Sequence, residues 1–206
     1  MIAIVDYGVG NLRSVENAFT HIGESVCTTS DPEILLQADG VVLPGVGAFG
    51  DAMQQLKIRN LIHPIKQYAK DGRPLLGICL GMQMLFEMSE EHGEHVGLGL
   101  LSGHVTKMQG HYKIPHVGWN QLQMKQEHAV GKGVSTGDYV YFVHSYYVVP
   151  SNPQVVLAST DYHQAIPAIV VQNRIFGMQF HPERSSTTGL QLLKNFAQYS
   201  ATLDRR

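Results

Sequence analysis

The chain has 206 residues, 44% hydrophobic and 16% charged, enough for one domain with a sizeable core. A net charge of −2 argues against nucleic acid or an anionic membrane as partner, and no apolar run approaches the roughly 18 residues that a membrane span needs. Met1-Ile2-Ala3-Ile4-Val5-Asp6 carries no basic leader and meets Asp6 and Gly8 too soon for a signal peptide, so it reads as a first strand. Two cysteines, Cys27 and Cys79, fit a reducing cytoplasm better than a disulfide framework.

The first half of the chain alternates. A strand at 2–6 precedes a helix at about 12–22, with Leu12, Val15, Phe19 and Ile22 on one face. A strand at 24–29 holds Cys27, read as packing, and Ser30-Asp31-Pro32 opens a short helix with a capping side chain and a first-turn proline. Gly40-Val41-Val42-Leu43-Pro44 is a buried strand, a helical region spans about 51–70, and an apolar run from Pro74 enters Cys79. Such alternation predicts a parallel sheet covered by helices on both faces. From about 104 to 180 the pattern turns to strands, at 104–108, 117–124, 139–149, 155–159, 167–172 and 175–180, expected as antiparallel or mixed additions to the sheet edge. A last helix, about 186–200, turns Leu190, Leu193 and Phe196 inward. With no linker, repeat or low-complexity stretch, residues 1–206 are expected to form a single α/β domain, an open, mainly parallel sheet with flanking helices.

The chemistry concentrates in Gly77-Ile78-Cys79-Leu80-Gly81. A strand, a tight turn with a glycine on each side, then the helical pattern Met82-Gln83-Met84-Leu85-Phe86 is the layout of a nucleophile elbow carrying sulfur. The helix start directs unpaired N–H groups at the sulfur and favours its thiolate. About a hundred residues later the strand at 175–180 runs into His181-Pro182-Glu183. Residues two apart on extended chain face the same side, so Glu183 can orient His181 while His181 takes the Cys79 proton. Most of the 11 histidines have no such neighbour. His144 is the nearest rival base, but it lacks a carboxylate two residues on. Gly8-x-Gly10 is not a dinucleotide fingerprint, because Arg13 stands where the third glycine would fall.

Gly-Ile-Cys-Leu-Gly-Met-Gln at 77–83 together with His-Pro-Glu at 181–183 resembles the triad, or class-I, glutamine amidotransferases. Three further stretches, Val5-Asp6-Tyr7-Gly8-Val9-Gly10-Asn11-Leu12, Leu43-Pro44-Gly45-Val46-Gly47-Ala48-Phe49-Gly50 and Pro115-His116-Val117-Gly118-Trp119-Asn120, make the chain similar over essentially its whole length to the glutaminase subunits of imidazole glycerol phosphate synthases of histidine biosynthesis. The resemblance implies a class-I amidotransferase-like, flavodoxin-like fold and hydrolysis of L-glutamine at Cys79, with no metal or organic cofactor. It implies a heterodimer in which a (βα)8-barrel cyclase uses the ammonia to make imidazole glycerol phosphate and AICAR. It makes Gly45, Val46 and Gly47, with the Leu80 N–H, the oxyanion loop. Gln83 and Glu91 would then hold the amide end and the α-amino group, and the backbone of His144, Ser145 and Tyr146 the α-carboxylate.

Trp119, the sole tryptophan, with Asn11, Tyr141 and Arg184, is expected to face the partner; for Trp119 a place in the core, and for Asn11 simple helix capping, is the alternative. Arg184 stands where the family more often has lysine, which puts any salt bridge there in doubt. The Val46–Gly47 peptide can turn over at little steric cost, so partner binding is expected to gate the oxyanion loop. The alternatives are the glutaminase of another ammonia-using synthase, disfavoured by the Pro44-Gly45-Val46-Gly47 loop, a cysteine hydrolase, disfavoured by Leu80 after Cys79, and a non-catalytic binding subunit, disfavoured by the complete triad.

Overall fold

A computed structural model describes residues 1–202. In the first half, β1 (Ile2–Val5), β2 (Val26–Thr29), β3 (Gly40–Gly45) and β4 (Leu75–Cys79) alternate with α1 (Leu12–His21), α2 (Pro32–Gln37), α3 (Phe49–Ile58) and α4 (Ile62–Lys70). After the short helix α5 (Leu80–Met84) come β5 (Phe86–Ser89), β6 (His95–Val96), β7 (Leu101–Lys107), β8 (His116–Gln121), β9 (Gln123–Met124), β10 (Tyr139–His144), β11 (Tyr146–Pro150), β12 (Val156–Asp161), β13 (Ala165–Gln172) and β14 (Ile175–Met178), and then α6 (Ser186–Ala201). As expected, Asp31 accepts from the Glu33 N–H at 2.8 Å to cap α2, and Pro32 follows it.

The main sheet has eight strands in the order β2-β1-β3-β4-β14-β13-β12-β9. The first five run parallel, and β13, β12 and β9 continue antiparallel, so the mainly parallel sheet with added strands is what forms. Ile2-Ala3-Ile4-Val5 is buried throughout, its residues alternating between two cores, as a strand covered on both faces must. One core joins Ala3 and Val5 to Phe49, Leu56 and Tyr68 from α3 and α4 and to Phe86, Leu101 and Val148 from the later strands. The other joins Ile2 and Ile4 to Val15 and Phe19 of α1 and to Leu192, Leu193 and Phe196 of α6. Full burial of a side chain such as Phe196 contributes roughly 1.5–3 kcal/mol. No helix among the described residues is long and apolar enough to cross a membrane.

Five sequence expectations need correction. The strand at 117–124 is two strands, β8 and β9, separated at Leu122 and lying in different sheets. The helical region at 51–70 is two helices, broken where Asn60 takes φ +56°. The helical pattern after Cys79 stops at Met84, and Phe86 begins a strand whose residues pair with β7 and β6. The strand at 139–149 is interrupted at Ser145, which separates β10 from β11. Nor do all later strands extend the main sheet: β11-β7-β5-β6 forms a second sheet, and β8 and β10 pair with each other as a two-stranded ribbon.

The cysteine turn is built against two glycines. A Cβ at Gly77 would lie 2.6 Å from the Gly81 backbone, and one at Gly81 would lie 1.8 Å from the Leu43 carbonyl oxygen. Neither backbone can yield, because both sit between β3, β4 and α5 in the middle of the fold. Gly81→Ala should therefore leave no cooperatively folded protein, read by soluble yield and far-UV circular dichroism. A variant melting within a few degrees of wild type would contradict this packing of α5 on β3.

Candidate active site

Cys79 ends β4 in a conformation rare for any residue but glycine, φ +53° and ψ −111°. The turn puts Sγ at the carboxyl end of a central strand, the usual place for a site in an open α/β sheet. The neighbouring strands deliver the rest. β3, which pairs with β4 so that Gly45 opposes Cys79, leads into the 45–48 loop, and β14, on the other side, leads to His181.

His181 Nδ1 lies 2.8 Å from Glu183 Oε1, both side chains almost fully buried. The two meet through a tight 3-10 turn over Pro182–Arg184 rather than on extended chain, so the expected pairing forms by a different geometry. His181 Nε2 is buried and has no hydrogen-bond partner among the described residues. Burial alone would lower the His181 pKa, but the Cys79 sulfur and the Glu183 carboxylate beside it push it up to about 10. The site thus favours an imidazolium beside the Cys79 sulfur.

Strand β10 fastens these groups from the other side. The His181 N–H donates to the Tyr141 carbonyl at 2.9 Å, the Tyr141 N–H donates to Ser185 Oγ at 2.9 Å, and Cys79 Sγ lies 3.9 Å from the Val143 carbonyl oxygen. Gln179, fully buried, places its amide Nε2 3.8 Å from Cys79 Sγ. Sequence reasoning passed over Gln179 and Val143; a lone amide within the apolar run 175–180 was the available signal for the first, and a backbone carbonyl leaves none for the second.

A cavity of about 560 Å³ opens on Cys79 and His181. Val46, Gly47, Leu80, Gln83, Glu91, His144, Ser145 and Tyr146 line it, so nearly every expected substrate and oxyanion residue converges there; His92, Lys107 and Pro115 join them unforeseen. Gly45 is buried behind the wall, where a Cβ would fall 2.7 Å from the Tyr7 hydroxyl. Tyr7 donates to the Pro44 carbonyl at 2.7 Å, and burial first and Cys79 second raise its pKa. Val46 is 44% exposed and Gly47 sits at φ +94° with open space around it. Gln83 donates to the Tyr146 carbonyl at 2.9 Å and to Gln179 Oε1 at 3.1 Å. Glu91 accepts from the Phe49 N–H at 2.7 Å, which ties it to the start of α3 just beyond the loop.

His144 is not free to act as a base. Its Nδ1 lies 2.8 Å from the Tyr146 carbonyl oxygen and its Nε2 3.1 Å from His116 Nδ1. Burial pushes the His144 pKa down to about 3 and that of His116 to about 4, and both rings are neutral at pH 7. An unfolded chain binds these protons near the ordinary value of 6.5. The pair's contribution is therefore fully present above about 6.5 and is lost as pH falls toward 4. His181, raised, works the other way: its contribution is fully present below about 6.5 and is lost as pH rises toward 10, and it is common to the two proteins compared. Urea midpoints from pH 4 to 7.5 should fall with pH in wild type and fall less in His116→Asn; equal slopes would exclude the pair.

On the outer face of the ribbon, Trp119 is 52% exposed and packs edge-on against Tyr141 at 5.9 Å between ring centroids. Arg184 lies over the Tyr141 ring at 5.1 Å, a cation–π contact. Asn11 is exposed at the start of α1, makes no side-chain cap, and α1 packs against the Pro182–Arg184 turn. Cys27 lies half-buried in β2 with a free thiol.

A family model for class-I glutamine amidotransferases matches residues 3–199, a span that takes in both Cys79 and His181. Among related proteins, the imidazole glycerol phosphate synthase subunit HisH of Bacillus cereus is 50% identical over 196 residues, covering 95% of this chain and 93% of that one. The HisH subunit of Aquifex aeolicus is 49% identical over 201 residues, covering 97% of each. The chain belongs to the class-I glutamine amidotransferases and, within them, to the HisH subunits of imidazole glycerol phosphate synthase. Solved structures more distant in sequence share the fold: PurLQS from Thermotoga maritima, with a TM-score of 0.75 at 19% identity over 96% of this chain and 97% of that one, and a glutamine amidotransferase with a TM-score of 0.78 at 19% identity over 98% and 100%.

Proposed function

We propose that this single-domain chain hydrolyses L-glutamine to glutamate and ammonia and passes the ammonia to a (βα)8-barrel cyclase, with which it forms a heterodimer in the cytoplasm. The observation that carries the reading is the buried His181–Glu183 pair set beside a cysteine held at φ +53° over an open cavity. Cys79 is the nucleophile, His181 the acid–base group and Glu183 its orienting carboxylate. The thiolate adds to the side-chain carbonyl; as the C–N bond breaks, ammonia leaves with the His181 proton, and water then releases glutamate from the thioester with His181 as base. Oxyanion donors are the Leu80 N–H and an N–H of the 45–47 loop.

The exposed loop also supplies a gate. With the Val46–Gly47 carbonyl turned inward it repels an oxyanion; with the N–H inward it stabilises one by roughly 2.7–4 kcal/mol, about 10²–10³ in rate. Glu91, assigned to the α-ammonium, also holds the Phe49 N–H, so substrate and loop share a carboxylate. The partner docks on the face carrying Asn11, Trp119, Tyr141 and Arg184. The experiment is glutamate release by the chain alone, with the cyclase, and with the cyclase and its acceptor ligand. Rates should rise at each step, by about 10²–10³ overall. Equal rates in all three would remove the gate, and no glutamate in any of them would remove the glutaminase reading.

A further inference from the structure

His116 and His144 face each other at one end of the ribbon, as register partners of β8 and β10. Their hydrogen bonds admit one arrangement of protons. The Tyr146 carbonyl oxygen can only accept, so the His144 Nδ1 at 2.8 Å carries the proton. His144 Nε2 is then a bare acceptor, and His116 Nδ1, 3.1 Å away, must be the donor. His116 Nε2 is left bare in turn, 3.4 Å from the Asn120 amide, which also donates to the Asp161 carbonyl at 2.8 Å. His116 is stacked between Tyr162, at 3.9 Å, and Phe142, at 4.7 Å, which fixes its plane. The line of donors continues into the cavity: the same Tyr146 carbonyl takes a second hydrogen bond from Gln83, and Gln83 donates to Gln179, whose amide reaches Cys79 Sγ.

We propose that His116 is a positioning residue for glutamine binding: by donating to His144 Nε2 it fixes the His144 tautomer and so holds the Ser145–Tyr146 corner of the cavity in its binding shape. The proposal rests on the glutaminase reading. His116 does not line the cavity and touches no reacting group. Without its donor, His144 has a bare buried nitrogen, and the tautomer that would satisfy it elsewhere turns a lone pair toward the Tyr146 carbonyl. The corner then loosens where the amino-acid head of glutamine is received, while the sulfur and its base stay in place.

Two substitutions separate the ring from its hydrogen bond. His116→Phe keeps a ring stacked between Tyr162 and Phe142 and loses the donor. His116→Asn loses the stacking but places an amide N–H where Nδ1 stood. The readout is inactivation of the full-length chain, in complex with the cyclase and its acceptor ligand so that the oxyanion loop is in its donor state, by a diazoketone analogue of glutamine, fitted for half-saturating concentration and limiting rate, with iodoacetamide, which has no amino-acid head, as a control on Cys79. His116→Phe should raise the half-saturating concentration about tenfold, as a buried acceptor left unpaired predicts, with the limiting rate and the iodoacetamide rate within about twofold of wild type. His116→Asn should stay within about threefold of wild type in all three. Equal shifts in both variants would assign the effect to ring packing and overturn the proposal, as would an unchanged His116→Phe or a loss confined to the limiting rate. If the analogue fails to inactivate even the wild type while iodoacetamide labels Cys79, the glutaminase reading falls and this proposal with it; a failure of His116 alone leaves wild-type inactivation saturable.

Discussion

Replacing Cys79 by serine should cut glutamine-dependent activity by on the order of 10⁴-fold or more. The hydroxyl stays protonated where the thiol gives up its proton, and the shorter bond to oxygen sets the nucleophile back from the substrate carbonyl. The change also removes the sulfur charge that helps hold the His181 pKa up, leaving burial to pull that pKa down. The backbone can keep its strained turn, since serine adds no bulk, so partner binding should survive. Product formation by the complex from added ammonium salt should accordingly remain near wild type. Glutamate release and ammonium-supported synthesis, measured side by side, check both halves. Substantial glutaminase activity in Cys79→Ser would show that the nucleophile lies elsewhere.

Loss of the base should be nearly as severe. His181→Asn should cost roughly 10⁴-fold in glutamine hydrolysis and Glu183→Gln roughly 10²-fold, because the proton carrier is required and its orienting carboxylate is partly replaceable. Glu183→Gln carries a second cost. Glu183 Oε2 is buried without a hydrogen-bond partner among the described residues, so an amide N–H placed there is unsatisfied, at about 1–3 kcal/mol of stability. Rates for the three variants His181→Asn, Glu183→Gln and His144→Asn, each corrected for the folded fraction, test the assignment. A mild His181→Asn beside a crippled His144→Asn would exchange the two roles.

How far the sequence could be read followed from how local each signal is. The cysteine turn was legible because its two glycines, its strand and its helix lie within a dozen residues, and Gly77 and Gly81 each meet backbone that admits no Cβ. The parallel half was legible because apolar runs such as Val41-Val42-Leu43 alternate with helices of clear periodicity. The second sheet was not. Leu85 and Phe86 continue the apolar spacing of α5, and only tertiary pairing with Leu101 makes Phe86 a strand residue. The break at Ser145 has no glycine or proline to announce it; β10 and β11 are apolar on either side. Gln83 and His144 could be placed at the site, but not their hydrogen bonds, which depend on Tyr146, Gln179 and His116 arriving from distant strands. The part played by His116 is of this kind: nothing in Pro115-His116-Val117 distinguishes it from a packed histidine.

The order of strands across the main sheet has a consequence for synthesis. β4 is made early, but the neighbour that fills its open side, β14, lies about a hundred positions later and brings the histidine with it. A chain still growing on the ribosome therefore has its sulfur but no base. It also exposes an apolar strand edge that invites wrong pairing. On the proposed roles of Cys79 and His181, closure of that edge and completion of the catalytic pair coincide, so a truncation that spared every residue up to Arg174 should give a chain prone to aggregate and unable to hydrolyse glutamine.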